Sequence, residues 1–300
     1  RDYLPVRASC YSAIPPFSNA FHTFDSPKRY LYRHMEVQPL KQNDLLQIPD
    51  LLPPGWDTAM PSITFYTTSD FCFPIKVTID NKIVGTGTTI IHHDVAWLAH
   101  ILVHPDHRNQ GIGRFITLKL IETAKAKHCN TIYLLATELG EPVYSKVGFE
   151  PETEYLLFKG EIQSDKDLIS KHISACTPDF KKQISLLDRH VSGEDRMFHL
   201  ESHLSSGYVY LEENKVMGYY LPGLGDGLII ASTKEAGQEL MRMRLTTKDF
   251  AVFPTDNLPA TEFMQLQHFK EIRRQKRMRL GKQRNWEPAM IYNRIGGNLG

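Results

Sequence analysis

Residues 96–127 read AWLAHILVHPDHRNQGIGRFITLKLIETAKAK. The first eight, 96–103, form an apolar run of strand length, and Pro105, with no N–H to give a ladder, ends it. After Arg108, Gly111 and Gly113 a helix begins. Ile112, Ile116, Leu120 and Ala124 fall on one i, i+4 ridge, with Phe115 beside it. A strand feeding a glycine-containing turn at a helix N-terminus is a place for an anion. Unpaired N–H groups point outward there, and the positive end of the helix dipole adds to them. The spacing is neither G-x-G-x-x-G nor a Walker loop. It is R-x-x-G-x-G, Arg108-Asn109-Gln110-Gly111-Ile112-Gly113, directly after Leu102-Val103-His104-Pro105. Taken alone, that pattern also fits an ordinary glycine-capped loop.

The elements around this stretch are regular. A first strand is expected over 36–40, a short helix over 44–52 and a hairpin of 73–80 with 82–92, turning at Asp80-Asn81. A second buried strand over 131–136 runs parallel to the central one if the helix crosses over in the usual right-handed way. A short helix over 141–146 and a last strand over 155–158 complete the set. Residues 1–34, rich in Pro, Ser and aromatics without periodicity, read as a peripheral or poorly ordered extension, foreign to the native reading frame in one reading. A charged stretch opens a linker, placed at 163–176.

Beyond the linker the chain repeats itself. Asp80-Asn81-Lys82-Ile83-Val84-Gly85 matches Glu213-Asn214-Lys215-Val216-Met217-Gly218, and Gly148-Phe149 matches His268-Phe269. The second copy is shorter between these landmarks, and its strand candidate 227–230 passes through Ala231-Ser232-Thr233 straight into a helix at 234–243, without the R-x-x-G-x-G turn.

The R-x-x-G-x-G turn, behind its V-H-P strand end and ahead of an apolar helix, resembles the pyrophosphate loop of GCN5-related N-acetyltransferases (GNAT). The segment Ala136-Thr137-Glu138-Leu139-Gly140-Glu141-Pro142-Val143-Tyr144-Ser145-Lys146-Val147-Gly148-Phe149 is similar to the A-T-x-x-G-x-P-x-Y-x-x-x-G-F segment of two-domain members. Arg277-Met278, Trp286 and residues 291–297 look like the end of their second domain. The resemblance covers roughly residues 35–300. It implies an α/β fold (a mixed α+β sheet) in tandem, with a competent copy at 35–162 and a degenerate one at 177–300. It also implies acetyl-CoA as co-substrate, its pyrophosphate on Arg108, Asn109, Gln110, Gly111, Ile112, Gly113 and Arg114, and its pantetheine arm along the backbone of Ile101, Leu102 and Val103. Many members have Gly where Asn109 stands; Asn tolerates left-handed backbone angles, so the turn survives the change.

Acetyl transfer to an amine needs a held thioester, a neutral nucleophile, a stabilised oxyanion and a proton for the departing thiolate. Tyr144, at the place of the family's tyrosine near the sulfur, is the expected catalytic acid; the plainer reading is a packed tyrosine bonded to backbone. A phenol with a reference pKa about 10 can protonate a thiolate whose conjugate acid lies about 8.5. No general base is evident. The inward sites on the central strand are Trp97 and Ala99, and His100 faces the other way unless a bulge resets the register. His92 and His93 close the preceding strand. Together with His100, His104 and His107 they lack a helical i, i+4 pair, so no metal is expected.

Composition bounds the rest. The chain has 300 residues, formal net charge +1, 41% hydrophobic and 23% charged content, which is the balance of a globular protein without an overall field for nucleic acid or membrane. Four dispersed cysteines, Cys10, Cys72, Cys129 and Cys176, show no C-x-x-C spacing and read as reduced thiols in the cytoplasm. The basic run 270–284 is expected as a solvated hairpin face. The expected function is N-acetylation of a primary amine of a small molecule by direct attack in a ternary complex, the amine entering where the second copy covers the first. Tyr219, Tyr220 and the loop 223–227 are candidate walls. The rival readings are a non-catalytic acyl-CoA-binding module and a protein N-terminal or lysine acetyltransferase.

Overall fold

The computed structural model describes residues 35–163 and 170–300; the extension 1–34 and most of the start of the expected linker lie outside the described residues. Strand β1 (Met35–Pro39) pairs with β2 (Cys72–Ile79) in antiparallel sense. Between them, 42–51 forms two short 3-10 turns instead of the regular helix expected over 44–52, and helix α1 (Met60–Tyr66) follows. Pro49 has no N–H to continue the first turn, which breaks the run.

Asp80 and Asn81, with φ of 48° and 64°, turn β2 into β3 (Lys82–His92). Two left-handed residues in succession give the two-residue turn whose twist matches paired strands. Strand β4 (Val95–Val103), helix α2 (Ile112–Ala126) and β5 (Thr131–Ala136) follow, with β4 and β5 parallel as the crossover rule requires. The ridge Ile112, Ile116, Leu120 and Ala124 is buried. Two glycines of β3 let α2 approach: a Cβ on Gly85 would lie 2.7 Å from Ile116 Cδ1, and one on Gly87 would lie 2.9 Å from Leu120 Cδ1. Helix α3 (Glu141–Ser145) and β6 (Glu150–Lys159), longer than the strand expected over 155–158, end the first copy.

The second copy contains β7 (Ile173–Ala175), α4 (Lys181–Ser192), α5 (Met197–Leu200), β8 (Tyr208–Glu212), β9 (Lys215–Leu221) and β10 (Leu228–Ala231). It continues through α6 (Lys234–Leu245), β11 (Phe250–Pro254), α7 (Leu258–Leu266), β12 (Lys270–Gly281) and β13 (Ile291–Asn293). The duplication holds at the backbone. Glu213 and Asn214 repeat the left-handed pair, with φ of 47° and 65°. Gly218 does for α6 what Gly85 does for α2: its Cβ would lie 3.0 Å from Leu240 Cδ1. The Phe269 N–H donates to Met264 O at 2.9 Å, as the Phe149 N–H donates to Tyr144 O at 3.1 Å.

The copies exchange strands. The larger sheet runs β1-β2-β3-β4-β5-β12-β6-β11. Thus β12, from the second copy, lies between β5 and β6 of the first, while β6 pairs on its far side with β11. The basic run is therefore no hairpin face: through Gly281 it is one strand flanked on both sides. Alternation turns Arg277 into the interior, where it is buried, and leaves Arg274 outside, paired with Glu271 and Glu154.

The smaller sheet runs β13-β10-β9-β8-β7. Strand β13 pairs with β10 on one side. On its other side the Val252 N–H donates to Asn293 Oδ1 at 2.8 Å, and the Arg294 N–H donates to Val252 O at 2.9 Å. By the repeat, β10 and β11 correspond to β4 and β5. The chain's own β13 fills the space between them.

Two apolar clusters cover the two faces of the larger sheet around β4 and β5. Ala96, Leu98, Ile132, Leu134 and Ala136 pack with α2 and Tyr144, whereas Trp97, Ala99 and Tyr133 pack with Leu51, Ile63, Tyr66 and the second copy's Ile184, Val191 and Leu221. Among the described residues no helix is long and apolar enough to cross a membrane.

Candidate active site

Strands β4 and β5 pair only from Val95–Trp97 against Thr131–Tyr133. Past that point β4 carries one extra residue against β3: Thr88 faces Ala99, but Thr86 faces Leu102. His100, with φ 46°, takes up the bulge. A bulge bends its strand and sharpens the twist, so β4 leaves β5 and a gap opens between their C-terminal halves. The His104 N–H donates to Val84 O at 2.9 Å. By alternation the backbone groups of Ile101 and Val103 turn away from β3 toward the gap, whereas those of Leu102, expected beside them, face β3.

The R-x-x-G-x-G turn stands at the mouth of this gap. Asn109 has φ 62° and Gly111 has φ 90°; the asparagine does adopt the left-handed backbone. Gly111 begins the helix, and its carbonyl accepts the Phe115 N–H at 3.0 Å. The N–H groups of Ile112, Gly113 and Arg114 find no partner among the described residues. Arg114 is exposed beside them; Arg108, also exposed, turns its Nε back onto Val103 O at 3.2 Å, and Gln110 Nε2 donates to Asp106 O. A Cβ on Gly113 would meet only Val103 Cγ2, at an ordinary 3.7 Å, so packing does not require glycine there. Unpartnered N–H groups at a helix N-terminus fit a pyrophosphate, and outward strand amides fit an extended amide arm.

Tyr144 lies on the α2 face of the gap. It is buried, and desolvation pushes its hydroxyl up to about 12. Its ring lies over Gly140, where a Cβ would come within 2.6 Å, and it meets Phe149 edge-on at 6.2 Å. The hydroxyl has no hydrogen bond among the described residues, so the backbone bond of the plainer reading is not formed.

The opposite face carries what the sequence left unseen. Because of the bulge, His100 joins the face of Trp97 and Ala99, and its Nδ1 lies 2.9 Å from the hydroxyl of Tyr66. Asn298 Nδ2 donates to that hydroxyl at 2.8 Å. Burial pushes the His100 imidazole down to about 4. No carboxylate stands on β4 itself, but one arrives from the second copy: Glu194 accepts from the Trp97 indole at 3.1 Å, and its Oε2 lies 2.8 Å from His92 Nδ1. Burial alone would raise the Glu194 carboxyl. The His92 hydrogen bond and the charges of Arg196 and Arg277 outweigh it and hold the group at about 2. His92 Nε2 continues to His199 Nδ1 at 3.3 Å, and burial first, then neighbouring charge, pushes His199 down to about 3. The Arg277 guanidinium lies 4.0 Å from the Tyr133 ring and 3.7 Å from the Trp286 ring. No signal in 92–104 foretold Glu194, Tyr66 or Asn298, because each comes from a distant element.

Tyr219, expected as a wall, is instead fully buried with its hydroxyl donated to Asp188, which also holds Arg196 at 2.9 Å. Tyr220 is buried as well. A cleft of about 270 Å³ opens past the end of β5, between Thr137, Glu138 and Leu139 on one side and Arg273, Arg274 and Gln275 on the other. In the second copy the corresponding place is closed. The Ala236 N–H is capped by the Thr233 hydroxyl, and the Tyr292 ring of β13 lies so near α6 that a Cβ on Gly237 would come within 2.1 Å of it.

Residues 43–149 match the acetyltransferase (GNAT) family. That match lies within the first copy. Over 87 residues the chain is 32% identical to mouse cysteine-rich protein 2-binding protein, a match covering 28% of this chain and 11% of that protein. A protein from Pyrococcus horikoshii described as a putative acetyltransferase superposes with a TM-score of 0.77 at 18% identity, covering 89% of this chain and 96% of the other. A tandem GNAT protein from the clavulanic acid biosynthesis pathway gives a TM-score of 0.55 at 14% identity, with 82% and 98% covered. A GCN5-related N-acetyltransferase from Sphaerobacter thermophilus gives 0.60 at 10% identity, with 86% and 98% covered. The described residues thus share the tandem GNAT fold, and the family match, together with the R-x-x-G-x-G turn, lies in the first copy.

Proposed function

We propose that the protein is an acetyl-CoA-dependent N-acetyltransferase whose acceptor is a primary amine of a small molecule. The observation that carries this reading is the gap between β4 and β5, with unpartnered helix N–H groups at one end and Tyr144 at its side. When bound, acetyl-CoA supplies the acetyl group as a thioester. Ile112, Gly113 and Arg114 hold the pyrophosphate by their N–H groups, and Ile101 and Val103 hold the pantetheine amides as a strand would. Tyr144 keeps its proton at neutral pH and donates it from Oη to the departing sulfur. The second copy lies over the face that an acceptor must approach, and that coverage supports a small amine over a protein chain. The unpartnered Tyr144 hydroxyl supports catalysis over a module that only binds acyl-CoA. Free thiols at Cys72, Cys129 and Cys176 support a reducing compartment, the cytoplasm. Calorimetric titration with acetyl-CoA, then a screen of amines for CoA release, tests the reading. No binding in the first experiment would end it.

A further inference from the structure

Strand β12 carries an arginine that its ion pairs do not use. Between Arg273 and Arg277 the register against β6 is unbroken, so Arg273, Gln275 and Arg277 share one face of the sheet. The second copy covers that face: Gln275 Oε1 accepts from Arg294 at 2.8 Å, and the Arg277 guanidinium lies over the Trp97 ring. Arg277 pairs with Glu152, Arg274 with Glu271 and Glu154, and Lys276 with Glu141. Arg273 makes no hydrogen bond or ion pair among the described residues, and it stays open to solvent. Its charged neighbour is a second cation, Arg294, which Asp226 already holds at 3.0 Å. Partial burial first, then the like charge of Arg294, pushes the Arg273 guanidinium down.

This arginine lines the cleft of about 270 Å³ past the end of β5. Strand β5 pairs with β12 as far as Ala136 but with β4 only as far as Tyr133. The loop that begins at Thr137 therefore borders both the cleft and the gap. Thr137 Oγ1 accepts the Gly140 N–H at 3.2 Å, which leaves its own proton to give. Gly140 in turn lies under the Tyr144 ring, so one short loop separates the cleft from the expected acid. Glu138, the carboxylate of the lining, makes no ion pair with either arginine among the described residues. An uncompensated guanidinium beside a hydroxyl donor is the complement of a carboxylate, which its planar fork can hold by two parallel hydrogen bonds.

We propose that Arg273 and Thr137 bind a carboxylate of the acceptor, so that the substrate is an amino-carboxylate and not a plain amine. The proposal rests on the acetyltransferase reading above and narrows it. The phosphates of the cofactor are the other source of an anion. The unpartnered N–H groups that fit them stand at the head of α2, whereas Arg273 turns to the face under the second copy, from which the acceptor comes. Arg273 then fixes the far end of the acceptor and leaves its amino end free to reach the thioester.

The decisive measurement is ¹H–¹⁵N NMR of the arginine Nε–Hε groups, with and without CoA, the Arg273 resonance being assigned by its loss in Arg273→Gln. The probes are β-alanine, 4-aminobutyrate and propylamine. The Arg273 resonance should move with an amino-carboxylate and stay put with propylamine, and Thr137→Val should weaken the response. A resonance that answers to neither amino-carboxylate, or equally to propylamine, would overturn the assignment. In kinetics, Arg273→Gln should lower the ratio of kcat/KM for the better amino-carboxylate to that for propylamine by about 10- to 100-fold. An unchanged ratio sinks this inference alone. A calorimetric loss of acetyl-CoA affinity in Arg273→Gln that disappears with acetyl-dephospho-CoA would give the arginine to the cofactor's 3′-phosphate and overturn it too. Absence of acetyl-CoA binding by wild type sinks the proposed function, while the titration without CoA still reads the cleft by itself.

Discussion

Oε2 of Glu194 lies 2.8 Å from Nδ1 of His92, 102 positions earlier in the chain, and both side chains are sealed from solvent. The pair joins the end of β3 to the loop after α4, so it ties one copy to the other. Removing one partner of a buried pair leaves an uncompensated group, at a cost of about 3–5 kcal/mol. Glu194→Ala should therefore lower the urea midpoint of unfolding, and Glu194→Gln, which keeps an acceptor for the Trp97 indole, should lower it less. An unchanged midpoint for the alanine variant would show that the pair adds nothing.

Acid should loosen the same region. His199 and His100 are held at about 3 and about 4, below their unfolded value of about 6.5. Between those limits the unfolded chain binds more protons than the folded one, so stability falls as pH falls from about 6.5 to about 4. Glu194, held at about 2, adds to the loss below its unfolded value. Thermal scans across this range should show the decline, and His199→Gln should flatten it. A Tm independent of pH there contradicts the assignment.

Gly113→Ala separates ligand from fold. Its Cβ meets nothing closer than 3.7 Å within the protein, so the melting temperature should stay put. A pyrophosphate seated against the first turn of α2 would meet that methyl group. Acetyl-CoA affinity should drop about tenfold or more, a change of ~1.4 kcal/mol. Unaltered binding would move the pyrophosphate elsewhere.

Tyr144→Phe should keep acetyl-CoA affinity and lose turnover by about 10²–10⁴-fold. The ring, which covers Gly140, is retained, so packing is not the variable. Full turnover with chemistry rate-limiting would make Tyr144 a packing residue.

One acetyl-CoA per chain is the expected stoichiometry, since β13 and Tyr292 occupy the second copy's equivalent of the gap. Two equal sites in a titration would refute this.

Local features were legible in the residues. The Asp80-Asn81 turn, the buried ridge of α2, the parallel β5 and the left-handed Asn109 each follow from a period or a backbone preference confined to a few neighbours. The repeat was legible because Gly85 and Gly218 meet the same steric demand. What was not legible depends on distant partners. Nothing near Arg277 says that it will lie between β5 and β6, and its many cationic neighbours suggested solvent. The face taken by His100 hung on a bulge, because one inserted residue inverts a period of two, and it is the pairing with β3 that settles it. Glu194 stands in an unremarkable stretch, S-G-E-D, and acquires meaning only when Trp97 and His92 come within reach of it.

The exchange of β6 and β12 also sets the order in which the protein can be made. Lys276 of β12 pairs its ammonium with Glu141 at 2.6 Å, 135 positions away, and β5 has no neighbour on that side until β12 exists. A nascent chain that has finished its first copy therefore holds an open sheet edge while more than a hundred further residues are translated. Such late, non-local pairing slows folding and leaves an edge exposed to other chains. The duplication is locked in at the level of pairing: a first copy alone lacks the strand between β5 and β6, and a second copy alone leaves β12 without either neighbour.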